Sequence, residues 1–502
     1  KALAQDEASA LLVDTAEELA GLDDAALNRL AKAATEAGHD GKYLITLSKT
    51  TLHPLLKELR NPETRRRLYE ASAGRGELTL PIAGEILKNR QQKAKFHGRN
   101  NFAEHRLSSL TAGTPDRVLD LIGKMVPSLR EKTETIARQM EALKQAEGDN
   151  TPLQPWDWQF YAAKLQQQQS GVDEETLKPY LALEDVLEKG VFFSAEKLYG
   201  IKILPRPDLP VYHPDVRAYE ILDNNGECLA VFYGDYFARK GKRQGSWKTI
   251  FTQQFHAIGQ KPVVANVSCI NKAEDGKPTR LTLAEVKTLF HEFGHTLHEI
   301  LSCTQYASNA GTSVPRDCVE FPAKLHERWA FHPHVLANYA IHHQTGEALP
   351  AHFMEQLVAQ QNANQNVTSA IETFQLIAAA VLDLELHLAP DITMPWEAFE
   401  RQALQKHGLD SSWLCSRYSI GNFGHIFRAY GSIFYSYFWS NVLAADAWAF
   451  IQENGGLTRE NGQRFRDEIL SRGGSVDFLT ALYAWRGQEL TPTAFLKEQG
   501  IA

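Results

Sequence analysis

The chain has 502 residues, 43% hydrophobic and 23% charged, enough for a large core and more than one lobe. Its net charge of −8 leaves no electrostatic footprint for a nucleic-acid partner, and no apolar run approaches the ~18 residues of a membrane span, so neither partner is expected. The five cysteines (Cys228, Cys269, Cys303, Cys318, Cys415) are odd in number and never form C-x-x-C pairs. That argues against a disulfide framework or a cysteine metal site and makes a reducing compartment, most simply the cytoplasm, the expectation.

From Lys1 to about Gly148 the pattern is helix after helix, with polar breaks at Gly21 to Asp24, Gly38 to Lys42 and Ser72 to Glu77. The clearest helix has Thr114 as cap, Pro115 in its first turn, and Val118, Leu121, Met125, Leu129, Ile136, Met140 and Leu143 at helical spacing, with Pro127 expected to kink it. This part carries no chemistry and reads as a helical wall. Gly148 to Pro155 is a turn-rich joint and a candidate lobe boundary, and a helix is expected from about Leu183 to Tyr199. After Pro210 the period changes: Ala218 to Leu222 and Cys228 to Phe232 flank the hairpin pair Asn225-Gly226, and Lys261 to Ile270 reads as another strand. Ala265 to Ser268 is the candidate edge for pairing with an extended peptide, with Ala265 and Asn266 as substrate contacts. Arg239 to Arg243 is a compact basic cluster that reads as a solvated face, with attraction of a substrate carboxylate as the alternative.

Leu281 to Leu301 carries His291, Glu292 and His295 as H-E-x-x-H. Thr282 and Glu285 form a capping box, and Leu283, Val286, Phe290, Phe293 and Leu297 repeat at helical spacing, so the motif sits mid-helix. Four residues make one turn plus roughly 40°, which lets both imidazoles aim at one point, while Glu292 falls beside that pair. The pattern reads as two zinc ligands and a carboxylate that handles a proton of water. The metzincin extension is excluded because His298 and Leu301 occupy its Gly and His positions. A third ligand from a following helix, with Pro315 near its start, is therefore expected: Glu320 is the choice and Asp317 the runner-up. Asp317 and Glu299 are also candidates to orient a ligand histidine from behind. Beyond Pro333 the chain is helical again, interrupted by the aromatic, glycine-rich stretch Tyr418 to Ser440.

HEFGHTLH followed by GTSVPRDCVEFP, with Glu320 in register, resembles the thimet oligopeptidase family of zinc metallopeptidases (peptidase family M3), nearest its bacterial peptidyl-dipeptidases and oligopeptidases. PWDWQFY from Pro155, VYHPDVRAYEI from Val211, DYFARKGKRQGSW from Asp235, and LSRGGS and YAWRGQE near the C-terminus carry the likeness along the chain. The resemblance implies a mainly α, neurolysin-like, multi-helical fold of two lobes with a deep central channel and a small sheet beside the zinc helix. It places a helical lobe at 1–150, N-terminally truncated relative to the family, and a catalytic lobe at 151–502. That lobe holds a sheet at about 211–272, zinc helices at 282–330 and a substrate loop at 418–440. It also implies one zinc ion (Zn2+) per chain, short peptide substrates, a monomer, and hydrolysis with release of C-terminal dipeptides. An endo-acting oligopeptidase is the alternative, and an inactive metal- or peptide-binding homologue the second.

Residue by residue, the likeness puts His425, Tyr430 and Tyr437 on transition-state or substrate contacts and makes Tyr435 a further substrate contact. Tyrosine and neutral histidine can donate to a developing oxyanion. Arg417 or Arg428 is the candidate to hold a substrate C-terminal carboxylate. The chain departs from the family where it has Arg428-Ala429-Tyr430 in place of Gly-Gly-Tyr and Phe434-Tyr435 in place of Tyr-Tyr, in a loop one residue shorter. Fewer glycines stiffen a backbone, so a change of substrate range or rate is expected.

Overall fold

Thr114 accepts from the Arg117 amide and opens a 32-residue helix, Pro115–Ala146, with Pro127 inside it. The structure is a computed structural model and describes residues 9–47, 49–170, 174–239, 241–243, 245–273, 276–361, 367–389, 391–428, 430–489 and 491–500. Ala429 of the aromatic loop and Lys240 of the basic cluster lie outside the described residues. The fold is mainly α, with a small sheet, as expected.

The chain forms two compact units, one of residues 9–170 and 367–438, the other of 174–361 and 439–500. The boundary therefore falls some twenty residues after the expected joint, and 367–438, expected in the catalytic lobe, belongs with the N-terminal helices.

In the first unit, β1 (Ala10–Val13) and β2 (Tyr43–Thr46) pair antiparallel over a core that includes Val13, Leu30, Ile45, Leu56 and Leu68. The central helix is Val367–Leu388, packed on Pro115–Ala146. It corrects the expectation about apolar runs: by length and composition this helix could cross a membrane, but 72% of its most apolar window is buried inside the protein. Apolarity here serves a core.

The joint after Gly148 is locked by buried charge. Asp157, from the PWDWQFY stretch, accepts from Arg65 NH2 at 2.8 Å and Lys144 Nζ at 2.9 Å, and all three side chains are at most 3% exposed. Arg65 also donates to the Leu59 and Arg60 carbonyls and lies 4.4 Å over the Phe160 ring.

In the second unit the expected Leu183–Tyr199 helix is α-helical at both ends with a π-helical stretch, Val186–Phe192, between them. Next come β3 (Lys202–Pro205), β4 (Arg217–Leu222), β5 (Cys228–Phe237), β6 (Trp247–Thr252) and β7 (Val263–Ile270), in the spatial order β3-β4-β5-β7-β6. The Asn225-Gly226 hairpin joins β4 to β5 as expected, with Gly226 at φ +84°. β7 is not an edge. It pairs parallel with β5 on one side (Gly234 opposite Asn266) and antiparallel with β6 on the other (Lys248 opposite Asn266). Both rows of its backbone groups are taken, so the edge beside it is β6.

Removing the shared anion at the joint takes the carboxylate from the buried Arg65 and leaves Lys144 only Asp149, at 3.3 Å. Asp157→Ala is expected to destabilise the protein by about 3–5 kcal/mol in denaturant unfolding. A loss below about 1 kcal/mol would mean water replaces the carboxylate.

Candidate metal centre

The helix Leu283–Ile300 begins as its capping box requires, with Thr282 Oγ1 accepting from Glu285 N and the Glu285 carboxylate accepting from Thr282 N. His291 and His295 lie one turn apart with ring centroids 4.8 Å apart and planes at 88°. What lets a third group reach them is Gly294. A Cβ there would stand 2.7 Å from the Ala323 Cα and 2.9 Å from the His326 Cβ, so the Phe321–His326 helix passes where a side chain would be. Pro315 does not open that helix. Its carbonyl accepts from Cys318 N, the Cys318 carbonyl from Phe321 N, and this run of turns delivers Glu320 at the N-cap of the helix.

Glu320 Oε2 lies 3.3 Å from His291 Nε2 and 3.2 Å from His295 Nε2. Tetrahedral ligands with bonds of ~2.0–2.1 Å stand ~3.3–3.4 Å apart, so two of the three ligand-to-ligand edges already have the length a zinc ion requires. His291, His295 and Glu320 are the only such cluster among the described residues, their donor atoms all within 4.8 Å of one another.

Electrostatics sort the two carboxylates. Burial is the largest influence on Glu320 and would raise it, yet hydrogen bonds from both imidazoles outweigh it and hold the carboxyl far below its usual range. Glu292 has no such donors. Burial pushes it up to about 7, with His291 and Lys248 pulling against that and Glu320 adding to it, and its Oε2 is buried with no hydrogen-bond partner. An ionised ligand thus sits beside a carboxylate that can exchange a proton near neutrality.

The residue that orients His291 is Glu327, which the sequence did not single out. Its Oε1 lies 2.7 Å from His291 Nδ1 and also takes Lys324 Nζ at 2.7 Å. Burial alone would lower His291, but bonds to Glu320 and Glu327 raise it to about 9. Glu327 follows Glu320 by seven residues, a two-turn spacing that was available as a signal. Glu299 is engaged elsewhere: its Oε1 accepts from Lys248 Nζ on β6 and from Thr312 N, tying the sheet edge to the turn after the helix. Asp317 has no exposed surface and is not part of the ligand cluster.

Ala265 and Asn266 lie inside the sheet, with no exposed edge. Ala265 has no exposed surface, and Asn266, 2% exposed, accepts from Thr296 Oγ1 and fastens β7 to the metal-motif helix.

In the first unit His425, Tyr430 and Tyr437 do come together. Tyr430 and Tyr437 stack with centroids 5.7 Å apart and planes at 13°, and His425 lies 5.8 Å from the first and 5.9 Å from the second. All three are partly exposed, and Phe434 packs among them. Tyr435 is fully buried, with its ring 6.5 Å from that of Phe438, and exposes no surface. Arg417 is exposed and lines a cavity of the first unit with Tyr69, Trp158, Glu400 and Tyr418. Arg428 is exposed.

Known proteins resemble this chain over most of its length. Dipeptidyl carboxypeptidase of Salmonella typhimurium is 39% identical over 507 residues, covering 99% of this chain and 74% of that protein. Oligopeptidase A of Escherichia coli is 35% identical, over 98% of this chain and 73% of that protein. Among solved structures, PZ peptidase A with inhibitor 2 superposes with a TM-score of 0.51 at 16% identity, over 100% of this chain and 77% of that one, a likeness of fold. The pattern of peptidase family M3 matches residues 55–501. With a family match over most of its length and a His–His–Glu cluster where the motif places it, the chain belongs to peptidase family M3 and is a metallopeptidase.

Proposed function

We propose that this metallopeptidase hydrolyses short peptides with one zinc ion held by His291, His295 and Glu320, releasing dipeptides from a free C-terminus. The observation that carries the reading is the convergence of both Nε2 atoms on Glu320 Oε2, with the unpartnered Glu292 oxygen beside them. A bound zinc ion supplies Lewis acidity, lowering the pKa of water towards ~7 and polarising a carbonyl. Glu292 takes a proton from the attacking water and returns it to the leaving amine. Glu327 fixes the His291 ring and its tautomer, so that Nε2 is the ligating atom. His425, Tyr430 and Tyr437 donate to the developing oxyanion and the adjacent backbone, a role supported by their resemblance to family contacts and by their clustering. One such donor is worth ~3 kcal/mol.

Dipeptide release is favoured over internal cleavage by likeness to proteins named dipeptidyl carboxypeptidase at 38–39% identity, against 35% and below for those named oligopeptidase A. Arg417, exposed at a cavity, is the proposed partner of the substrate carboxylate. Five free cysteines suit a reducing compartment, and the cytoplasm is the proposed location.

Glu292→Gln is expected to keep its zinc, measured by elemental analysis, while kcat falls at least ~10³-fold; near-wild-type turnover in the loaded variant would remove Glu292 as the base. Glu327→Ala is expected to weaken zinc ~10–100-fold in a chelator competition, and an unchanged affinity would make Glu327 a bystander. Mass spectrometry of a free-acid octapeptide and its C-terminal amide separates the modes of cleavage. Chelator-sensitive loss of dipeptides from the free acid alone is the expected result, and internal cuts in both peptides would establish an oligopeptidase.

A further inference from the structure

The loop that carries Tyr430 is tied at one end to a buried carboxylate and at the other to a half-buried guanidinium. At its C-terminal end, Asp383 of the Val367–Leu388 helix accepts from Ser432 N at 2.8 Å on Oδ1 and from Phe434 N at 2.9 Å on Oδ2. Ser432 is the only non-glycine residue among the described ones with positive φ, at +66°, a conformation that costs energy unless its surroundings hold it. At the other end Arg90, from the Leu80–Phe96 helix, donates from NH2 to the Arg428 carbonyl at 2.9 Å. Its guanidinium also lies against Gly431, where a Cβ would stand 2.3 Å from NH1.

His387 joins the two anchors. Arg90 NH1 lies 2.8 Å from His387 Nε2, and a guanidinium can only donate, so Nε2 accepts and the ring proton sits on Nδ1. That proton is donated to the Asp383 carbonyl at 2.7 Å, with Asp383 Oδ1 at 3.2 Å. The Asp383 and His387 side chains have no exposed surface, and the Phe102 ring flanks both His387 and Arg90, each at 5.3 Å. A helix otherwise built for the core thus spends two polar positions, one turn apart, on this loop.

We propose that Asp383, His387 and Arg90 are positioning residues that clamp the loop at Arg428 and at Ser432 to Phe434 and so hold Tyr430 stacked on Tyr437 in the orientation that meets substrate. None of the three touches substrate; each acts through the two tyrosines. The proposal rests on the reading of Tyr430 and Tyr437 as substrate contacts.

The test compares the zinc-loaded wild type with Asp383→Asn, which is isosteric, and with Arg90→Lys and Arg90→Met at the less buried anchor. Zinc content, kcat, KM and amide hydrogen exchange of peptides covering 430–438 are measured for each. Expected for Asp383→Asn are full zinc, faster exchange confined to that stretch, and kcat down ~10²-fold with KM within ~3-fold. Arg90→Lys should retain more of kcat than Arg90→Met, because the ammonium still reaches the Arg428 carbonyl. Adding Tyr437→Phe to Asp383→Asn should cost far less than Tyr437→Phe costs alone, since a misplaced hydroxyl is already lost.

Unchanged kcat in Asp383→Asn, or effects of Asp383→Asn and Tyr437→Phe that multiply, would overturn the clamp while leaving the tyrosines in place. Full activity of Tyr437→Phe and Tyr430→Phe on the wild-type background would overturn the substrate-contact reading, and the clamp's purpose with it.

Discussion

At Gly294 the missing side chain lets two backbones approach within the space a Cβ would fill, and the metal centre depends on that approach. The helix by itself can only stack two imidazoles. A carboxylate must arrive from 25 residues on, and it arrives because the Phe321–His326 segment lies directly against the motif helix. The same packing carries Glu327 behind His291. One glycine therefore sets the distance on which a ligand and its orienting partner both depend.

The chemistry then follows from unequal treatment of like groups. Glu292 is buried and Glu320 partly buried beside the same histidine, and desolvation pushes both upward. Two imidazole donors reverse that for Glu320, whereas Glu292 keeps a raised value and an unpartnered oxygen. Two carboxyls whose environments drive them apart can take separate roles, one as a permanent anion and one as a proton carrier. The sheet holds this arrangement from the other side. Thr296 is bound to Asn266 on β7, and Glu299 to Lys248 on β6, so the helix is fastened to a strand interior and to an edge.

Buried charge also organises the first unit, on the same terms. Asp157 pairs with Arg65 and Lys144, and Asp383 accepts from two loop amides, each carboxylate using both oxygens. Such groups stabilise only when fully paired, and removing one member is worse than never having buried it. That explains why an otherwise apolar helix tolerates Asp383 and His387: their partners are supplied by a loop and by another helix.

Local chemistry was legible in the chain. The Thr282–Glu285 box, the Thr114 cap, the Asn225-Gly226 hairpin and the His291–His295 spacing are set by residues within a turn or two of one another, and each formed as expected. The edge role of β6 rather than β7, the burial of Tyr435 and the partner of His291 were decided by tertiary structure. Strand order follows from which strands find each other across the chain, and Ala265 to Ser268 looks the same at an edge or in the middle. A tyrosine among glycines carries no mark of which way its backbone will turn, and a helix as apolar as Val367–Leu388 fits a core as well as a bilayer. The sequence determined the residues of the H-E-x-x-H motif and how they are spaced along their helix. Only the fold decided which groups they meet, because that depends on contacts between segments whose separation leaves no period to read.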